Sequence, residues 1–122
     1  MPYSPLELAK ACCLAADDKL ATDIKLLDLT ALSDVCDYFV ICTVANNPQM
    51  GAVREAVEDK ARLNFGAKPL SAEGRGGSSW LLLDYGTVVV HVFKPEARDY
   101  YRLERLWGDA AEVDLGLGDR ER

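Results

Sequence analysis

The sequence is short of the residues that most enzymes work with. It has one histidine, His91, in 122 residues, which leaves no scheme that needs two imidazoles. The four cysteines, Cys12, Cys13, Cys36 and Cys42, form no Cys-x-x-Cys pair. Cys12 and Cys13 are adjacent and would point about 100° apart on a helix, a poor geometry for sharing a metal. They read as reduced thiols acting as small apolar side chains. No serine sits in a Gly-x-Ser-x-Gly elbow. The stretch Gly74-Arg75-Gly76-Gly77 lacks the Lys-Ser/Thr of a P-loop and leads into a strand, so no helix N-terminus faces a phosphate. Nucleotidyl transfer needs carboxylates converging on metal ions. Here Ser78-Ser79 runs into Trp80-Leu81-Leu82-Leu83 without an Asp-x-Asp, and Asp84 stands alone. The chain reads as a non-enzyme with no metal and no cofactor.

Long apolar runs are missing too. None approaches the ~20 residues that span a bilayer, and Met1-Pro2-Tyr3-Ser4-Pro5 is unlike a signal peptide. A cytoplasmic protein with no membrane partner is expected. Positive charge is scarce: 14 Lys plus Arg against 20 Asp plus Glu gives a net charge of −6. The one basic concentration is Arg98, Arg102 and Arg105, spaced to share a helix face and interleaved with Glu96, Asp99 and Glu104. That argues against direct DNA or RNA binding and favours a basic protein partner. With 49% hydrophobic residues, the length suits one domain with one ordinary core.

Periodicity gives the order α-β-β-α-β-β-β-α. Ser4-Pro5-Leu6-Glu7 reads as a helix start with a capping box. Leu6, Ala9, Cys13, Ala16 and Leu20 follow at helical spacing, while Glu7, Lys10, Asp17 and Asp18 mark the wet side. Residues 22–29 have strand character. Residues 38–44 are apolar on both parities, as in a strand buried on both faces. Asn47 and Pro48 open a second helix, with Met50, Val53, Val57 and Ala61 inward, a Glu58–Arg62 pair outward and Gly66 as its stop. Residues 68–73 read as a short edge strand. A last helix starts at Lys94-Pro95, carries Tyr100, Leu103 and Trp107 on one stripe and stops at Gly108. The expected architecture is α/β: a mixed five-stranded sheet with helices on its faces, in a single domain over 1–113, and a flexible tail over 114–122.

The hairpin between the fourth and fifth strands is the informative element. With Tyr85-Gly86 as a two-residue turn, Asp84 pairs with Thr87, Leu82 with Val89 and Trp80 with His91. One face then carries Leu81, Leu83, Val88, Val90 and Val92, a core face. The other carries Trp80, Leu82, Asp84, Thr87, Val89 and His91. Such a mixture suits a half-wet interface, or equally a face covered by a helix with Trp80 packed beneath it.

The same segments carry a resemblance. Asp37-Tyr38-Phe39-Val40-Ile41-Cys42, Glu73-Gly74, Trp80-Leu81-Leu82-Leu83-Asp84-Tyr85-Gly86, Val88-Val89-Val90-His91-Val92-Phe93 and Arg98-Asp99-Tyr100-Tyr101-Arg102-Leu103-Glu104-Arg105-Leu106-Trp107 resemble the ribosomal silencing factor family (RsfS, also called Iojap). The match runs from residue 5 to about 113, and the order of the motifs is what makes it specific. It departs at Val44-Ala45-Asn46-Asn47-Pro48-Gln49-Met50, where the family more usually has a Ser-Gly-x-Ser-x-x-Gln-like stretch. The resemblance implies a nucleotidyltransferase-like fold without transferase activity. It also implies binding to large-subunit ribosomal protein fourteen on the large ribosomal subunit, blocking subunit joining, and a homodimer when free. Glu73, Trp80, Leu82, Asp84, Tyr85 and His91 are the candidate partner-binding residues, and Tyr100, Tyr101 and Trp107 the dimer candidates. A small nucleotide-binding or nucleotidyltransferase-like enzyme is the alternative.

Overall fold

The computed structural model describes residues 3–34, 36–75, 79–102, 105, 108, 110–113 and 115. Two long helices come first, α1 (Pro5–Asp18) and α2 (Asn47–Phe65), separated by strands β1 (Thr22–Asp28) and β2 (Tyr38–Thr43). Strands β3 (Ser71–Arg75), β4 (Trp80–Asp84) and β5 (Val88–Phe93) follow, then a short α3 (Pro95–Tyr101) and a two-residue β6 (Ala111–Glu112). The strands form one sheet in the order β3-β4-β5-β2-β1-β6. Its central pair, β2 and β5, is parallel, and every other pairing is antiparallel.

The sheet therefore has six strands, where the sequence predicts five. The sixth pairs Ala111 with Asp28 and Glu112 with Leu27, and two residues are too few to show an alternation. The helices are also distributed unevenly. Leu8, Cys12 and Ala16 of α1 and Val53 and Val57 of α2 bury the same side of the sheet, against Leu26, Val40, Leu81, Leu83, Val88, Val90 and Val92. The opposite side has a smaller cluster of Leu27, Leu29, Cys36, Ile41 and Phe93, with α3 contributing Ala97. Among the described residues, Ala97 is the one α3 side chain buried in that cluster.

Local chemistry explains most boundaries and corrects several. At α1, Pro5 occupies the first turn, but Ser4 makes no side-chain cap bond, so the expected capping box is absent. Ala9, Cys13 and Ala16 are buried as the spacing predicts, whereas Leu20 lies beyond the helix, left-handed (φ 65°) and exposed. Asp17, expected on the wet side, is 3% exposed. The cap of α2 is Asn46, one residue before the expected Asn47: its Oδ1 accepts from the Gln49 N–H at 2.9 Å. Gly66 ends α2 in the left-handed region (φ 64°), where a glycine is favoured. The outward ion pairs are Arg54–Glu58 at 3.5 Å and Arg62–Asp59 at 3.0 Å, not Glu58–Arg62. Helix α3 stops at Arg102, itself left-handed (φ 50°), so the expected single helix to Gly108 is not formed. Leu103 and Trp107 lie outside the described residues. Of the expected tail, Leu115 packs half-buried against the helical-side core, and the rest lies outside the described residues.

All four thiols are free and buried. Burial pushes Cys12 up from 9.0 to about 12, helped by neighbouring Cys42. Burial does the same to Cys42, against the opposing charge of Arg98. In the unfolded chain these thiols ionise near 9.0, so the unfolded state gives up its protons first. Their contribution to stability is complete below that pH and is lost as pH rises towards 12. Urea midpoints should therefore fall between pH 8 and pH 10.5, and fall less in Cys12→Ala. An equal fall in both proteins would show that this thiol does not couple to folding.

Candidate interaction face of the sheet

The face is built around the β4–β5 hairpin. Tyr85 N–H donates to the Val88 carbonyl at 2.8 Å, and the Asp84 carboxylate accepts from the Gly86 N–H at 2.7 Å. Gly86 takes φ 86°, which a side chain would resist. The turn residues are thereby Gly86 and Thr87, one position later than the expected Tyr85-Gly86. Asp84 pairs with Val89, Leu82 with His91 and Trp80 with Phe93, two positions away from the expected pairing of Asp84 with Thr87. A slip of two preserves parity, whereas a slip of one would exchange the faces. The core face is the expected one, with Leu81, Leu83, Val88, Val90 and Val92 all buried.

On the other face, Trp80, Leu82, Asp84 and Val89 are half-buried and His91 is 3% exposed. The register extends this surface in both directions. On the edge strand, Glu73 stands opposite Leu82 and Ser71 opposite Asp84, both exposed. On β2, Phe39 stands beside Val89 and Ile41 beside His91. Phe39 was not legible as a member of the face, because a strand apolar on both parities has no alternation to read. Tyr85, by contrast, does not belong to it. Tyr85 is buried with the helical-side cluster. Burial raises its hydroxyl pKa, reinforced by Cys12 and Glu58.

The aromatic groups are locked together. Trp80 Nε1 donates to His91 Nδ1 at 3.1 Å. The Trp80 ring stacks on Phe93 with centroids 5.1 Å apart, and Phe39 meets His91 edge-on at 4.6 Å. An Nδ1 that accepts leaves the proton of the neutral ring on Nε2. His91 thus acts as a buried strut that orients the indole, and it is poorly placed for acid–base chemistry with a solvent-borne substrate. The buried thiols are likewise held protonated, which denies them nucleophilic character. Among the described residues, no group of three or more His, Cys, Asp or Glu side chains is placed to hold a metal ion, and no helix is long and apolar enough to cross a membrane.

One end of the sheet is acidic, with Asp84 on this face and Asp28, opposite Tyr38, on the helical side. Burial, then Asp37 and Asp84, raise the pKa of Cys36. Desolvation, then Asp28 and Asp37, raise that of Tyr38. Three carboxylates, from the ends of β1 and β4 and from the residue before β2, therefore gather where β1 and β4 finish and β2 begins. Tyr100 and Tyr101 close α3 near the other end of the sheet, and Trp107 lies outside the described residues.

Residues 2–122 match the family described as "Ribosomal silencing factor during starvation". The chain belongs to the ribosomal silencing factor family. It is 44% identical over 115 residues to the ribosomal silencing factor RsfS of Bacillus subtilis (strain 168), covering 94% of each chain. It is 35% identical to the chloroplastic protein Iojap of Arabidopsis thaliana, spanning 96% of this chain and 47% of that one. Among solved structures, a Chromobacterium violaceum protein superposes with a TM-score of 0.80 at 34% identity, over 87% of this chain and 88% of that one. A Bacillus halodurans protein does so with a TM-score of 0.75, also at 34% identity, over 89% and 98%. The mixed α/β fold with an open sheet is thus one that solved structures share.

The strut role of His91 is measurable. Trp80→Phe keeps a ring on Phe93 but removes the N–H donor, and should cost about 1 kcal/mol in urea denaturation. His91→Ala removes the acceptor and the ring beneath the patch, and should cost about 2 kcal/mol or more. A near-neutral His91→Ala would mean that the cluster does not hold the indole.

Proposed function

We propose that this chain represses translation by seating the Trp80–Leu82–Asp84 face on large-subunit ribosomal protein fourteen, where the two ribosomal subunits join. Family membership supports a ribosomal role, and the aromatic patch on the side of the sheet away from α1 and α2 carries the choice of face. A rigid, half-buried tryptophan is the kind of anchor that dominates interface energies. Glu73, Leu82, Phe39 and Val89 surround it, with His91 holding it from below. The carboxylates of Asp28, Asp37 and Asp84 suit a basic ribosomal protein, contributing orientation and on-rate more than affinity. The action is occlusion: no nucleotide, metal or turnover takes part, and the nucleotidyltransferase-like fold serves as a scaffold. The setting is the cytoplasm, with the ribosomes.

On this reading, Trp80→Ala remains folded, losing about 1–2 kcal/mol of stability, yet binds large subunits roughly thirtyfold more weakly. Asp84→Asn keeps the acceptor for the Gly86 N–H and should slow association chiefly at low salt, while Asp84→Lys weakens binding further. Subunit joining should fall stoichiometrically with added protein and without nucleotide. Thermal melts beside ribosome pelleting and gradient sedimentation read all of this. A folded Trp80→Ala that pellets normally, or substoichiometric inhibition, would refute it.

The free protein is proposed to be a homodimer, with Tyr100, Tyr101 and Trp107 contributing to the contact. Light scattering at micromolar concentration should give twice the 13.4 kDa of one chain. A monomeric mass would remove the dimer from the proposal.

A further inference from the structure

The two edges of the sheet are finished differently. At one, β6 covers the end of β1: Ala111 pairs with Asp28, Glu112 with Leu27, and the Val113 N–H donates to the Leu26 carbonyl at 2.8 Å. At the other, β3 pairs with β4 alone among the described residues. Residues 71–74 are all exposed.

The register decides which backbone groups that edge presents. Tyr85 bonds to Val88, so the bonds between β4 and β5 fall at Tyr85, Leu83 and Leu81. Leu82 and Asp84 turn their amides and carbonyls the other way, to Glu73 and Ser71 of β3. Ala72 and Gly74 alternate with these, and their amides and carbonyls point outward from the sheet. Natural edges are commonly guarded by proline, lysine or a bulge. Residues 71–75 contain neither proline nor lysine, and they pair with β4 in unbroken register. At the two outward positions, a methyl group and a hydrogen leave room for another backbone to approach.

The surroundings give this edge a chemical direction. Leu70 precedes the strand, held by its N–H to the Asp84 carbonyl at 2.6 Å, and its side chain is 76% exposed. Asp84 stands opposite Ser71, and Glu73 occupies the middle of the strand, whereas Arg75 takes the last register position. A strand laid along this edge therefore meets an apolar group and two carboxylates at the Leu70 end, and positive charge only at the far end. Cross-strand pairs of opposite charge are favourable and like charges are not.

We propose that the outer edge of β3 accepts an extended segment of a basic protein as an added strand, its backbone paired with Ala72 and Gly74 and its lysine or arginine side chains beside Glu73 and Asp84. Main-chain bonds supply affinity in this mode, and alternate side chains supply selection. A nucleic acid fits poorly, because it cannot complete a strand ladder and its phosphates would meet the two carboxylates. The site is the edge of the sheet and not its Trp80 face, although Glu73 borders both, and it requires nothing of the ribosomal reading.

The test is a titration of the full chain with the synthetic peptide acetyl-Lys-Val-Lys-Val-Lys-Val-amide at constant ionic strength, following backbone amide resonances and their hydrogen exchange. Saturable shifts and slowed exchange are expected at Ala72 and Gly74. Ala72→Pro removes an outward donor and spares the bonds to β4, so it should keep the thermal midpoint while binding at least about tenfold more weakly. The same peptide with its four central amides N-methylated keeps its charge but cannot pair, and should not bind to the natural sequence. A peptide with glutamate in place of each lysine should bind at least about tenfold more weakly. The proposal is overturned if the Ala72 and Gly74 shifts do not saturate, if the N-methylated peptide binds as tightly as the parent, or if the glutamate peptide does.

Discussion

The parallel pairing of β2 with β5 is the constraint on which the rest depends. Two parallel neighbours cannot be joined by a hairpin, so the chain must leave the sheet and return between them. Here it returns through α2, β3 and β4. Helix α2 packs on the side that α1 already occupies, and both long helices are thereby committed to one face. Among the described residues, α3 with its seven residues packs on the other. The half-open aromatic face is thus a consequence of topology, and any partner surface of this protein has to be read against it.

The two sides of the sheet solve their burial problems differently. On the helical side, aliphatic residues meet alanines and thiols, small groups that let α1 approach closely. Among the described residues, the one buried tyrosine there, Tyr85, has no hydrogen-bond partner for its hydroxyl, a cost that the surrounding apolar contacts must outweigh. On the other side, the large rings come with polar handles, and Trp80 and His91 satisfy one another at 3.1 Å. A tryptophan so fixed loses little conformational entropy when something covers it. The same pair leaves the face partly apolar at its surface, where Phe39, Leu82 and Val89 remain half-buried.

Much of this was legible wherever a period was long enough to count. The helical spacing of Met50, Val53, Val57 and Ala61 and the alternation from Leu81 to Val92 located one core and separated the hairpin's faces. The slip of two in the turn left that separation intact because the strand period is two. What was not legible has physical causes. Asn46 and Asn47 are equally able to cap, and only the backbone at Asn46 (φ −156°, ψ 172°) decides between them. Arg102 adopts a conformation that its residue type does not announce, which ended α3 early. Asp17 is buried by tertiary packing that no local pattern carries. Within the face, Glu73 was placed by its motif, whereas Phe39 needed the parallel register to join it.

A net charge of −6 describes the molecule less well than the distribution of its charges. Asp28, Asp37 and Asp84 gather at one end of the sheet, where their fields reach Cys36 and Tyr38. Arg98, Arg102 and Arg105 line a cleft at the other. The strands that connect the two ends carry the face between them, with Asp84 at the acidic end and Trp80, level with Phe93 and Thr43, at the other. Separation of charge along the sheet gives the protein a polarity that its composition conceals. A basic surface approaching the patch is drawn to one end and repelled from the other, so the field selects an orientation before any side chain makes contact. Apolar contact on the patch supplies affinity without direction, and the flanking charges supply direction with little affinity. Residues that look alike in composition, such as exposed acids on α2 and the three acids at the sheet end, therefore have different consequences for recognition.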